Sequence, residues 1–313
     1  MRRIGILVFC VVVALLIVIP PMANGYYRSL FYITLLYVAL AYGWNVISGY
    51  AGYFSFGQVT FFGLGAYVTA IVVTKTPLPW EIGALLGGVV SAAFAVPLGY
   101  LMLRLRGPFF ALGMLGLART LQVAANSMGI TGGGQGLFLP PGSNALSVYY
   151  WTLAIAVLAF AGTWLIDHSA FGLRLQALRE DEQVAATLGV HVTTQKVYAF
   201  IISAAIPGLL GGGYAWYLTY VNPVSVFSTS IDLQAVAMTI LGGIGTVWGP
   251  LIGGVLISQI SEALAAQYPQ AFLMIFGGLV VALLVFLPRG IAPACAAALS
   301  RRRARAKPAE ART

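Results

Sequence analysis

Charged side chains are scarce in this chain: Asp, Glu, Lys and Arg make up 8% of its 313 residues, while 60% are hydrophobic. An average soluble domain carries roughly 25% charged residues, so this composition cannot supply a polar surface, and lipid must be the solvent for most of the chain. Cysteine is almost missing. Cys10 and Cys295 lie in or beside apolar stretches near opposite ends, which argues against a disulfide framework and against a thiolate metal site. Histidine is equally rare, and His168 and His191 are read as interfacial or solvated residues, leaving no credible Ser-His-Asp or metal-binding arrangement. A Gly-x-x-x-x-Gly-Lys-Ser/Thr loop occurs nowhere, so the chain does not bind and split ATP by that route. No cofactor is expected. The net charge of +9 invites a nucleic-acid reading, but the basic residues sit at the ends of apolar runs and form no groove.

What is present is a series of membrane-length apolar runs. Met1-Arg2-Arg3 followed by residues 4–19 has the form of a secretory signal, yet no small-x-small cleavage site follows, so it reads as an uncleaved first span. Further runs lie at about 30–48, 54–74, 82–103, 108–126, 148–166, 197–219, 231–247, 249–265 and 271–287. Most approach the ~20 residues a helix needs to cross a bilayer. The run 54–74 opens with polar residues, and only Trp248 separates 231–247 from 249–265, which stand as two passes or as one pass plus a re-entrant loop.

Charge asymmetry favours an even count. With ten crossings, one side collects Arg2, Arg3, Arg104, Arg106, Arg174, Arg179, Lys196, Arg289 and the six basic residues of the tail, 14 of the 17 Lys and Arg. The other side receives only Arg28 and Lys75, so the positive side is cytoplasmic and both termini lie there. The expected fold is all-α, a polytopic transmembrane helical bundle of about 8–10 spans with broken or re-entrant segments and an internal pseudo-repeat. Residues 1–300 form one membrane domain, and 301–313 form a basic cytoplasmic tail expected to be disordered.

Between two apolar runs lies the one long charged segment, about 167–196, whose stretch Phe171–Gly189 holds three of the eight acidic residues as Glu180, Asp181 and Glu182. Asp181 suits the cap of a short helix, Glu180 and Glu182 its positive end, and Gly189 the left-handed residue after its last turn. Val184 and Leu188, four apart, fall on one face. Such a helix displayed in water suits a partner, although a solvated loop has the same charge pattern.

Two stretches depart from ordinary helix: Ile47-Ser-Gly-Tyr-Ala-Gly-Tyr-Phe-Ser-Phe-Gly57-Gln58 and Ile240-Leu-Gly-Gly-Ile-Gly-Thr-Val-Trp-Gly249-Pro250. Both read Ile-x-Gly-x-x-Gly, then an aromatic-bearing stretch, then glycine. Glycine-interrupted segments at matching places in two halves point to a duplicated transporter core with its path near the pseudo-symmetry axis. Gly49, Gly52, Gly57, Gly242, Gly243 and Gly245 let the backbone break and face that path, and Asn45, Ser48, Ser55 and Gln58 offer neutral groups to a passing solute. Helix packing is the competing explanation for glycine, and the small-x-x-x-small pairs Gly83/Gly87, Gly208/Gly212 and Gly249/Gly253 are assigned to it.

The run from Trp44 to Tyr67, WNVISGYAGYFSFGQVTFFGLGAY, resembles the signature of permease subunits of bacterial branched-chain amino acid ABC importers. The loop Thr131-Gly-Gly-Gly-Gln-Gly136, the segment Gly172–Gly189 and the run Leu241–Pro250 are similar to the same family in the same order, over roughly residues 30–287. The resemblance implies a translocation subunit of the bacterial inner membrane that is not itself an enzyme. It also implies a related permease chain as heterodimer partner, two ATP-binding cassette subunits and a periplasmic or extracellular solute-binding protein. It places coupling to the ATPase on Arg174, Arg179, Glu180, Asp181, Glu182, Ala185, Ala186 and Gly189. The segment departs from the Glu-Ala-Ala-x-x-x-Gly form of other ABC importers, since Glu182 is displaced from Ala185-Ala186.

Three charges fall within or beside apolar runs. Arg119 lies inside 108–126, where an ionisable group costs at least ~2.5–3.5 kcal/mol at mid-bilayer, and it reads as a solute or gate contact or, in preference, as a snorkelling or interhelically paired residue. Asp232 and Glu262 lie near expected outer ends and read as a docking point for the solute-binding protein or, in preference, as ordinary surface residues. Relatives carrying urea or short amides share the same motifs. An ion-coupled secondary transporter would share the broken helices but needs a mid-membrane carboxylate, and a passive channel would need no ATPase.

Overall fold

The computed structural model describes residues 13–20, 24–105, 107–140 and 145–268, with 271, 274, 275, 277, 278, 281, 282 and 290–292 beyond them. The expected tail 301–313 and most of the runs 4–19 and 271–287 lie outside these residues. The chain is helical from end to end of what is described, and seven helices are long and apolar enough to span a bilayer, with Gly249–Leu264 a shorter eighth.

The centre is α1 (Gly25–Trp44), which runs on into a π-helical segment, Asn45–Tyr50. Every residue from Val38 to Ala51 is buried. After an irregular stretch the chain resumes as α2 (Gln58–Lys75), followed by α3 (Trp80–Met102), α4 (Pro108–Ser127) and α5 (Ala145–Asp167). Two short helices, α6 (Ala170–Glu180) and α7 (Glu182–Thr187), make up the charged segment. The 27-residue α8 (Val192–Leu218), the one-turn α9 (Pro223–Val226), α10 (Thr229–Gly243) and α11 (Gly249–Gln267) complete the described fold. The only ladder among the described residues joins β1 (Leu137–Phe138) to β2 (Tyr220–Val221), antiparallel, with Leu137 opposite Val221. It ties the loop after α4 to the end of α8.

Two packing groups meet on α1. In one, α2, α3 and α8 pack tightly against one another; in the other, α5, α10 and α11 pack around α1. The first group depends on glycine. A Cβ on Gly65 of α2 would stand 2.0 Å from the carbonyl oxygen of Gly208 on α8, and one on Gly87 of α3 would stand 2.8 Å from that of Gly65. Backbones in contact at that range admit no side chain, so the Gly83/Gly87 and Gly208/Gly212 spacing serves packing as the sequence indicates. Gly249 and Gly253 do the same for α10 and α11, where a Cβ on Gly253 would lie 1.8 Å from the Met238 carbonyl. The apolar runs on either side of Trp248 are therefore two antiparallel helices joined by a five-residue turn, 244–248. At the end opposite the charged segment, Trp80, Trp151 and Trp216 cluster, with Trp80 stacked on Trp216 at 6.2 Å, as interfacial aromatics do.

Gly65→Ala should lower stability by about 1–3 kcal/mol through overpacking, whereas Gly162→Ala, whose Cβ meets nothing within 4 Å, should not. Thermal unfolding of the two variants in detergent measures the difference; equal melting temperatures would refute the close-contact account.

Candidate functional site

The charged segment is built as two helices, not one. Ser169 opens α6, its Oγ accepting from Gly172 N at 3.2 Å, and Leu175 and Leu178 turn into the core. Asp181 is extended (φ −159°, ψ 116°) and starts α7, its carboxylate accepting from Gln183 N at 2.7 Å and Val184 N at 3.1 Å. This is the capping role read from sequence. Glu180 differs from expectation: it ends α6 rather than standing in the first turn of α7, and it pairs with the guanidinium of Arg179 at 3.3 Å. Gly189, at φ +81°, closes α7 by a Schellman motif in which Gly189 N donates to Ala186 O at 3.0 Å and Val190 N to Ala185 O at 3.2 Å. Ala185 is buried under the helix, while Val184 and Leu188 face out, 56% and 76% exposed. Arg174, Glu180, Asp181 and Ala186 are exposed as well.

Three side-chain links tie this segment to the broken stretch after α1. Arg179 Nη1 donates to Gly49 O at 2.8 Å. Its guanidinium also fills the space above Gly245, where a Cβ would lie 2.7 Å from Nη1, and its stem fills the space above Gly52, where a Cβ would lie 2.7 Å from Cγ. Gly52 and Gly245 adopt φ +79° and +69°, so glycine is required at both by conformation and by space. The second link is buried. Lys196 Nζ stands 2.6 Å from a Glu182 carboxylate oxygen, with side chains 6% and 22% exposed, and both groups hydrogen bond the Tyr53 hydroxyl. In the third, Tyr50 Oη donates to Asp167 Oδ1 at 3.0 Å. A cavity of about 390 Å³ opens between these parts, lined by Gly52, Tyr53, Gly107 and the 178–183 stretch.

The two glycine stretches touch. Asn45 Nδ2 donates to Thr246 O at 3.1 Å and Asn45 Oδ1 accepts from Gly245 N at 2.9 Å. One amide, just ahead of the first stretch, thus holds the second. The remaining neutral groups serve the break itself: Ser48 Oγ donates to Tyr53 O at 2.8 Å and accepts from Ser55 N, and Gln58 Nε2 donates to Ser203 Oγ at 2.6 Å. Gly57 packs on Met114 of α4. Gly242 and Gly243 are buried against α11.

Residues 26–285 match the family model described as "Branched-chain amino acid transport system / permease component". The chain belongs to this family. Among curated proteins, the permease is 28% identical over 292 residues to the high-affinity branched-chain amino acid transport system permease protein LivM of Salmonella typhimurium, covering 83% of this chain and 68% of that protein. It is 27% identical over 293 residues to LivM of Escherichia coli, with the same coverage. The autoinducer 2 import system permease protein LsrC of Yersinia pseudotuberculosis is 30% identical over 197 residues, 58% of this chain and 53% of that protein. No solved structure matches the permease.

Two of its charges escape the sequence reading. Lys196 looks like a topology signal, yet it is 5% exposed and partners Glu182; a lysine immediately before an apolar run, downstream of an acidic cluster, is the trace it leaves. Asp232 is not a surface residue. It is fully buried, and its Oδ1 accepts from Val59 N at 2.8 Å, compensating the positive start of α2 where the broken chain re-forms helix. Glu262 is partly buried on α11.

Lys196→Met should destabilise the charged segment by up to about 3 kcal/mol, because it leaves the half-buried Glu182 carboxylate without its cation, and Lys196→Met with Glu182→Gln should recover part of this. Limited proteolysis of residues 167–196 reads both. Equal cleavage of the single and double variants would refute the pair.

Proposed function

We propose that this permease forms the translocation path for branched-chain amino acids in the bacterial inner membrane. It works beside a related permease chain, two ATP-binding cassette subunits and a solute-binding protein on the external side. Both termini and residues 167–196 face the cytoplasm, a reading supported by the distribution of Lys and Arg. The chain supplies no ATP hydrolysis of its own; the driving force enters through α6 and α7. Val184 and Leu188, apolar and outward, with Arg174, Glu180, Asp181, Ala186 and the Gly189 turn around them, suit a groove on an ATPase subunit.

One observation carries this reading: Arg179 holds Gly49 O and packs over Gly52 and Gly245, so the helix that meets the ATPase also touches both interrupted stretches. Displacement of α6–α7 therefore acts directly on the breaks. Asn45, Ser48, Gly49, Gly52, Ser55, Gly57, Gln58, Gly242, Gly243 and Gly245 are the moving part of the path. Asn45 couples the two halves, and Gly57, seated on Met114, transmits the shift to α4. Solute class follows the LivM relatives, whose alignments cover more of both chains than the autoinducer 2 alignment does.

Val184→Asp with Leu188→Asp should abolish co-purification of the ATPase while the permease still inserts; unchanged co-purification would remove α7 from the contact. Arg179→Ala should leave the complex assembled but lower ATP-driven L-leucine uptake in vesicles about tenfold or more, the scale of one lost charge-assisted hydrogen bond. Wild-type uptake by Arg179→Ala would sink the coupling route.

A further inference from the structure

Helix α4 has two faces. Phe110, Met114, Ala118, Gln122 and Ala125 are buried against the bundle. The other face, with Phe109, Leu112, Gly116, Arg119, Thr120 and Val123, is exposed. The exposed surface of α3 is apolar, with Leu85, Val89 and Leu101, as suits lipid. The α4 face matches it only in its first half. From Gly116 onward it carries a glycine with open space above it, a hydroxyl and a guanidinium.

Arg119 follows Pro108 by eleven residues and precedes Ser127 by eight, which puts it about 16 Å and about 12 Å from the two ends of the helix, in its middle third. Its guanidinium is held by neutral groups, Nη1 donating to Gln122 Oε1 at 2.7 Å and Nη2 to Thr229 Oγ1 at 3.4 Å. Among the described residues no carboxylate pairs with it: Asp232, one turn along α10 from Thr229, gives its Oδ1 to the start of α2. Each η nitrogen keeps a second N–H, so the group is fixed at its base and retains donors for a planar anion. A positive charge at that depth, outward-facing and without a counter-charge, needs water or an anion beside it.

We propose that the Gly116–Val123 face of α4 is a wall of the aqueous solute path and that Arg119 receives the carboxylate of the amino acid in transit. This deepens the proposed function and rests on it for the solute. The interrupted stretch lies directly behind this wall, through Gly57 on Met114, so the coupling motion and the solute contact fall on opposite faces of one helix. A membrane phosphate could be drawn to the same guanidinium, and the test separates the two sources.

The complete importer is reconstituted in proteoliposomes with its binding protein, with Cys10→Ser and Cys295→Ser as background. Gly116→Cys and Thr120→Cys should react with a charged, membrane-impermeant thiosulfonate at least about tenfold faster than Val89→Cys on the lipid face of α3, and L-leucine during turnover should slow them. Maximal L-leucine uptake should fall about tenfold in Arg119→Gln and by less in Arg119→Lys, with binding-protein affinity unchanged. Labelling at the Val89→Cys rate, or full uptake by Arg119→Gln as a phosphate anchor would allow, overturns the proposal. Should the unsubstituted importer move no L-leucine, the assigned solute fails, and the labelling rates alone decide whether α4 faces water.

Discussion

A helix interrupted inside a membrane domain leaves carbonyl and amide groups without their helical partners, and this permease is arranged around satisfying them. When α1 passes through its π segment and stops, the carbonyls of Ile47 and Gly49 lose their helical partners. Ile47 O takes Tyr53 N at 3.1 Å, a turn within the break. Gly49 O takes a guanidinium from a distant segment, Arg179 at 2.8 Å. A helix C-terminus carries partial negative charge, so a cation there is favourable beyond the hydrogen bond itself. Where helix resumes, the opposite end of the dipole meets the buried carboxylate of Asp232. One interruption thus recruits one arginine and one aspartate, each from an element far away in sequence, and fixes both elements to it.

That requirement accounts for how the few charges are distributed. In a chain with eight acidic residues, two that reach inward, Glu182 and Asp232, do so beside the same interrupted stretch, one at Tyr53 and one at Val59. Lys196 completes the first group. A buried pair of this kind adds little net stability over apolar packing but leaves a large penalty when one partner moves alone. It therefore holds α7, α8 and the Tyr53 loop together as one unit.

Sequence patterning revealed the class, the spans among the described residues and both interruptions, because these depend on composition and on glycine placement, which are local properties. The capping of α7 by Asp181 and its termination at Gly189 were legible for the same reason: each is a contact within a few residues. What could not be read was which distant group answers each unsatisfied one. Asp232 in the first turn of an apolar helix looks the same whether it faces water or the start of another helix, and Lys196 looks like any basic residue at a membrane boundary. The division of the charged segment into two helices was hidden too, since Asp181 caps the second only because its backbone is extended there.

The three links between the charged segment and the break do not all lie on the same side of Gly52. Tyr53 belongs with Glu182 and Lys196, whereas Gly49 lies with Asn45 and, through it, with Gly245 on the other half. Between them stands Gly52 with φ +79°, the residue best able to absorb a backbone rotation. Of the links made by Arg179 and Lys196, the Lys196 pair is the more buried and the more expensive to part. The Arg179 contact borders a cavity of about 390 Å³ on the charged side, where water can replace the guanidinium on Gly49 O. Exchange of a protein hydrogen bond for a water one costs only on the order of 1.5–3 kcal/mol even when a charge is involved, within reach of the differential affinity a partner can apply. Within the proposed coupling route, Arg179 on Gly49 is therefore the contact expected to give way, with Gly52 as its pivot.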